Sequence, residues 1–116
     1  MRILIADDEI DFVDVLKERL GRQGVEIDTA YDGAEAVKLL KRNRYDAVFV
    51  DHNMPELTGL EIIKYMRSNG IVSKVAMITA YEEMDSLLAR HVGADEYLTK
   101  PVKLEDVERL VKLWYT

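Results

Sequence analysis

Six polar residues stand directly beyond short apolar runs, and their types could carry out one kind of chemistry. Asp7 and Asp8 follow the run 2–6, Asp51 follows 47–50, Thr79 follows 75–78, and Thr99 and Lys100 follow 97–98. Tyr31, after the run 25–30, suggests no chemistry. Three carboxylates brought close together repel, so either some stay protonated or a cation neutralises them. Oxygen ligands alone, few in number, suit hydrated Mg²⁺, with Mn²⁺ as the substitute. Lys100 would add a second cation and Thr79 a hydroxyl donor. A divalent ion, an ammonium and a hydroxyl around one carboxylate neutralise the three equatorial oxygens of a phosphoryl group in transit. The spare carboxylate can act as the nucleophile and form an aspartyl phosphate.

These residues meet only if the runs are strands of one sheet. The runs 2–6, 47–50 and 75–78 are almost continuously apolar, as in parallel strands covered on both faces. The run 25–30 alternates, which predicts an edge strand. Amphipathic stretches separate them. The first spans 11–23, with Phe12, Val13, Leu16 and Leu20 on one face and Gly24 beyond its end. The second opens on Asp32-Gly33-Ala34-Glu35 and the third on Thr58-Gly59-Leu60-Glu61, both with capping-box spacing. The third runs to Asn69 and Gly70. A fourth covers about 83–91, and a fifth places Leu104, Val107, Leu110, Val111 and Trp114 at helical spacing. The order is (βα)5, a doubly wound α/β domain with a five-stranded parallel sheet. In the 2-1-3-4-5 strand order, the first and third strands are neighbours, and Asp7, Asp8 and Asp51 converge at their carboxyl ends.

Composition narrows the function. The chain has 116 residues, 16 Lys+Arg against 22 Asp+Glu, and a net charge of −6. That length fits one domain, over residues 1–116. The negative charge argues against direct nucleic-acid binding through bulk electrostatics. Cysteine is absent, which excludes disulfides and thiolate chemistry. No stretch approaches the roughly 20 apolar residues of a membrane span, and a cytoplasmic location is the expectation. The basic group Lys38, Lys41, Arg42 and Arg44 reads as a solvated helix end, and His91 as a residue suited to a helix C-terminus.

With these residues in place, the sequence resembles a response-regulator receiver domain of two-component signalling, of the chemotaxis-regulator-like, flavodoxin-like kind. The resemblance rests on Asp7-Asp8, on Asp51-His52-Asn53-Met54-Pro55 with Gly59, on Thr79-Ala80, and on the stretch from Gly93 to Lys100-Pro101. It spans the whole chain. It implies Asp51 as phosphoacceptor, Asp8 as a direct Mg²⁺ ligand, Asp7 as a ligand partly through water, and the Asn53 carbonyl as a further ligand. It implies that Lys100 contacts Asp51 or a phosphoryl oxygen, that the Thr79 hydroxyl bonds the phosphoryl group, and that Tyr97 changes rotamer as Thr79 moves. A cis Lys100-Pro101 bond is also implied. Leu57 departs from the methionine common in the family. Asn53 and Tyr81 would tune phosphoryl lifetime, while His52 has no assigned role.

The function expected is a phosphorylation-activated switch. A sensor histidine kinase or histidine phosphotransfer protein donates a phosphoryl group to Asp51, and the surface of the fourth helix, fifth strand and fifth helix shifts toward a downstream effector. The domain is no turnover enzyme, but it promotes its own phosphorylation and dephosphorylation. A stand-alone regulator or phosphorelay intermediate is the expected form, since Met1 directly precedes the first strand and no linker begins before Thr116. The alternatives are a receiver portion of a larger regulator with an output domain and a receiver-like module that is never phosphorylated. A phosphorylation-dependent dimer through the helix-four to helix-five face is compatible with the resemblance. A phosphatase of the haloacid dehalogenase type is disfavoured, because that class places a D-x-D pair after its first strand and carries a cap.

Overall fold

The computed structural model describes residues 1–80 and 90–115. Strands β1 (Arg2–Ala6), β2 (Glu26–Ala30), β3 (Ala47–Asp51), β4 (Lys74–Thr79) and β5 (Glu96–Thr99) alternate with helices α1 (Ile10–Gly21), α2 (Gly33–Arg42), α3 (Gly59–Ser68) and α4 (Leu104–Trp114). The helix expected over about 83–91 lies outside the described residues except for Arg90 and His91, which are helical together with Val92. Tyr81 also lies outside them. All strand pairs are parallel, in the order β2-β1-β3-β4-β5. The fold is therefore the doubly wound, flavodoxin-like one, with the alternating strand β2 at an edge as its pattern predicts.

Both faces of the sheet are covered, which explains why the central strands are apolar between their end residues. Ile3, Ile5, Ala47, Phe49, Ala76 and Ile78 point to one face, where Val13, Leu16 and Leu20 of α1 and Val107, Leu110 and Val111 of α4 pack. Leu4, Ala6, Val48, Val50, Val75 and Met77 point to the other, against Ala36 and Leu40 of α2 and Ile62, Ile63 and Met66 of α3. Alternate side chains of one strand thus feed two separate cores. Trp114 belongs to the first, its ring centroid 5.7 Å from that of Phe49.

The helix starts follow their chemistry, with one difference from expectation. Thr58 and Glu61 form the full reciprocal box at the start of α3. At α2 only half of it forms. The Asp32 side chain accepts from the Glu35 N–H at 2.8 Å, but the Glu35 carboxylate accepts from Tyr31 N–H, at 3.4 Å, one residue before the cap. Two glycines are required by close approach. A Cβ on Gly33 would lie 2.4 Å from Leu57 Cβ, and one on Gly59 would lie 2.8 Å from His52 Cα. Only glycine lets α2 and α3 press against the loop that follows β3.

Candidate functional site: an acidic pocket at the carboxyl edge

The register brings the expected residues together. Ala6 pairs with Val50, so Asp7 and Asp51 are the next positions of neighbouring strands. Thr79 pairs with Thr99, and the Lys100 N–H continues the ladder by donating to the Thr79 carbonyl at 2.8 Å. One carboxylate oxygen from each of Asp7, Asp8 and Asp51 falls within 4.8 Å of the others. Asp7 and Asp51 are buried, at 1% and 0% exposure, whereas Asp8 is open to solvent.

Asp51 is held from two sides. Its Oδ2 accepts from Lys100 Nζ at 3.0 Å, and its Oδ1 accepts from the Asn53 N–H at 3.1 Å. Asp7 Oδ1 accepts from the Glu9 N–H at 2.9 Å. That bond does not offset its surroundings. Burial, aided by the Asp51 charge, pushes the Asp7 carboxyl up to about 7. Lys100 Nζ also donates to Glu9 Oε1 at 3.0 Å. Burial works against the Lys100 ammonium, but hydrogen bonds to Glu9 and Asp51 outweigh it and hold the pKa above the ordinary lysine value. One ammonium thus serves two carboxylates directly, those of Glu9 and Asp51, while Asp7 and Asp8 lie beside Asp51 with no hydrogen bond from it. A hard divalent cation fits the set of Asp7, Asp8 and Asp51: one oxygen from each lies within 4.8 Å of the others, and the charge of an ion would offset the burial that favours the protonated Asp7.

Thr79 is fully buried at the end of β4, and Tyr97 is half-buried on β5. Arg90 Cζ lies 5.6 Å from the centre of the Tyr97 ring. The Lys100-Pro101 peptide is cis, as the resemblance implies. Asn53 is exposed, with its backbone turned into the site. His52 contributes backbone rather than side chain: its N–H donates to the Ile78 carbonyl and its own carbonyl accepts from Gly59. Its Nδ1 is buried with no hydrogen-bond partner among the described residues.

Two residues escaped the sequence reading. Glu9 follows the acid pair but lies at the start of a helix, where an acid reads as an ordinary end residue. Arg67 in the last turn of α3 reads likewise. Its guanidinium instead donates to the carbonyls of Gly93, Ile71 and Ser73 at 2.9, 2.7 and 3.0 Å, and to Asp95 Oδ2 at 3.1 Å. The signal for both lay in contacts distant along the chain, which spacing does not reveal.

A flavodoxin-like sheet with an acid triad and a lysine at its carboxyl edge defines a class of α/β domains with an acidic pocket suited to a divalent cation. The chain belongs to the response regulator receiver domain family, whose model matches residues 3–112. It is 38% identical over 112 residues to the alkaline phosphatase synthesis transcriptional regulatory protein PhoP of Bacillus subtilis (strain 168), covering 96% of this chain and 47% of that protein. It is 38% identical over 108 residues to response regulator MprA of Mycobacterium sp. (strain KMS), covering 92% of this chain and 47% of MprA. The chain therefore spans about half the length of these curated relatives. Among solved structures, the Francisella response regulator 1452 receiver domain matches with a TM-score of 0.92 at 30% identity, over 98% of this chain and 95% of that one. Response regulator protein TrrA from Thermotoga maritima, solved in complex with Mg(2+)-BeF, matches with a TM-score of 0.84 at 37% identity over 97% of each chain. Among the described residues, no helix is long and apolar enough to cross a membrane.

Proposed function

We propose that the chain is a switch activated by phosphorylation of Asp51. The observation that carries this reading is the Asp51 carboxylate itself. It is wholly buried, fixed by Lys100 at one oxygen and Asn53 N–H at the other, yet within 4.8 Å of two further acids. Asp7, Asp8 and Asp51, with the Asn53 backbone carbonyl, would hold Mg²⁺, or Mn²⁺ in its place. Bound there, the ion supplies positive charge to the phosphoryl oxygens.

The rest is performed by side chains. An Asp51 oxygen forms the O–P bond as the N–P bond of a donor phosphohistidine breaks. The bonding electron pair stays on the imidazole nitrogen, which takes up a proton. Lys100 follows the developing charge, and the Thr79 hydroxyl donates to a phosphoryl oxygen. Hydrolysis by water later returns the carboxylate. Asn53 and Tyr81 tune the lifetime of the phosphoryl group. Tyr97, two residues before Thr99 on the neighbouring strand, changes rotamer as Thr79 moves. The surface around β5 and α4 then shifts between two populated states toward an effector. The donor is a sensor histidine kinase or a histidine phosphotransfer protein.

Acetyl phosphate with Mg²⁺ tests the reading. A phosphate-dependent gel shift is expected in the wild type and not in Asp51→Asn. No shift, or a shift that survives the substitution, overturns it. A second reading places the domain as the receiver portion of a larger regulator. It draws support from the doubled length of PhoP and MprA and from the name of PhoP as a transcriptional regulatory protein. In that arrangement the phosphorylated surface works on an attached output domain rather than a separate protein.

A further inference from the structure

We propose that Glu9 is a positioning residue that holds Lys100 back from the phosphoryl group. This rests on the phosphoacceptor reading of Asp51. Glu9 occupies the N-cap position of α1, yet its side chain makes no capping hydrogen bond. Its N–H is instead given to Asp7 Oδ1 at 2.9 Å, which turns the residue over the site. From there the carboxylate reaches Lys100, 91 positions along the chain, at 3.0 Å. Lys100 Nζ stands at the same 3.0 Å from Asp51 Oδ2.

The ammonium is thus suspended between two carboxylates that differ in setting. The Asp51 side chain is at 0% exposure and the Glu9 side chain at 57%. A phosphoryl group on Asp51 adds anionic oxygens on the inner side only. Lys100 can follow them only by lengthening or releasing its bond to Glu9. Because the outer pair is solvated it is weak, so the restraint is modest and easily overcome. Glu9 also adds a negative charge near the mouth through which an anionic donor must pass, and removing it acts in the same direction.

The test compares wild type, Glu9→Gln and Asp11→Asn, all as the full chain with Mg²⁺. Asp11 lies in the first turn of α1, is exposed, and gives the same change of charge. Two quantities are measured: the apparent dissociation constant of beryllofluoride, a phosphoryl mimic, and the phosphorylation rate from acetyl phosphate. Glu9→Gln is expected to tighten beryllofluoride binding and speed phosphorylation by roughly twofold to fivefold. Asp11→Asn should produce less than half of either gain. The NMR signal of the Lys100 ammonium should move in Glu9→Gln and stay in place in Asp11→Asn.

A Glu9→Gln protein that binds beryllofluoride no more tightly than wild type overturns the proposal. So does an equal gain from Asp11→Asn, which would make the effect one of net charge. A wild type that takes up neither beryllofluoride nor a phosphoryl group would instead sink the Asp51 reading, and the Glu9 proposal with it.

Discussion

The two edges of the sheet treat charge in opposite ways. At the amino edge the buried polar groups are closed into pairs. Tyr45, 5% exposed, donates its hydroxyl to Asp28 at 2.5 Å, and Asp28 also accepts from Arg2 Nη2 at 2.9 Å. The Ser73 hydroxyl donates to the Tyr45 carbonyl, and the Arg67 guanidinium closes the loops that enter β4 and β5. At the carboxyl edge, three carboxylates cluster within 4.8 Å, and the one ammonium that reaches them among the described residues bonds only Asp51 of the three and is shared with Glu9. Both edges are built on the same five strands, so topology does not account for the difference. A group left uncompensated by its own fold is poised to gain from an arriving cation or phosphoryl group; a closed network has nothing to gain.

The largest effect should come from Asp7. Its carboxyl is raised to about 7, above the ordinary value of 3.8. Between those values the folded protein retains a proton that the unfolded chain has released. Stability without divalent ions should therefore fall as pH rises from about 4 to about 7, and level off above it. The full penalty is about 2–4 kcal/mol at neutral pH. Asp7→Asn should remove the slope and raise stability at pH 7.5 by a similar amount, measured by urea unfolding in EDTA. Mg²⁺ affinity of the wild type should rise with pH through the same window, because the ion must displace the proton. An unchanged urea midpoint across pH 4.5–7.5 would break the contrast between the edges.

Arg67 should show the reverse behaviour. Replacing it by Met leaves three backbone carbonyls and Asp95 without this donor. About 2–3 kcal/mol of stability should be lost, with the side chain's partial exposure limiting the cost. Mg²⁺ affinity, measured at a pH where the variant is fully folded, should stay within about twofold, since the network does not touch the acid pocket. A tenfold loss of Mg²⁺ affinity would show that the two edges are coupled.

The same contrast explains what the sequence disclosed. The fold was legible because both faces of the sheet are covered: β1, β3 and β4 had to be apolar between their ends, and β2 alternates because it lies at an edge. The acids and Lys100 were legible because each stands at the end of a strand or within two residues beyond it. Side chains that cross from one element to another were not. Arg67 and Glu9 find partners 28 and 91 positions away, and no local period encodes such pairs. Asp32 shows the limit at short range. Its spacing to Glu35 matches a capping box, but the chain enters α2 at an angle that delivers the Glu35 carboxylate to Tyr31 instead.

The smallest effect tests whether the amino edge is as closed as it looks. Burial, and then the hydrogen bond to Asp28, push the Tyr45 phenol up to about 12, so it stays a donor throughout the working pH range. Tyr45→Phe keeps the ring, and with it the stacking of Arg2, whose Cζ lies 5.5 Å from the ring centre. Only the hydroxyl is lost. Asp28 keeps Arg2 as a partner and Asn43 loses one acceptor, so the cost should be about 1 kcal/mol. Because the phenol keeps its proton from pH 5 to 8, the loss should be the same at both ends of that range. A cost that grows toward pH 8 would mean that the amino edge, too, holds a charge that its own network leaves uncompensated.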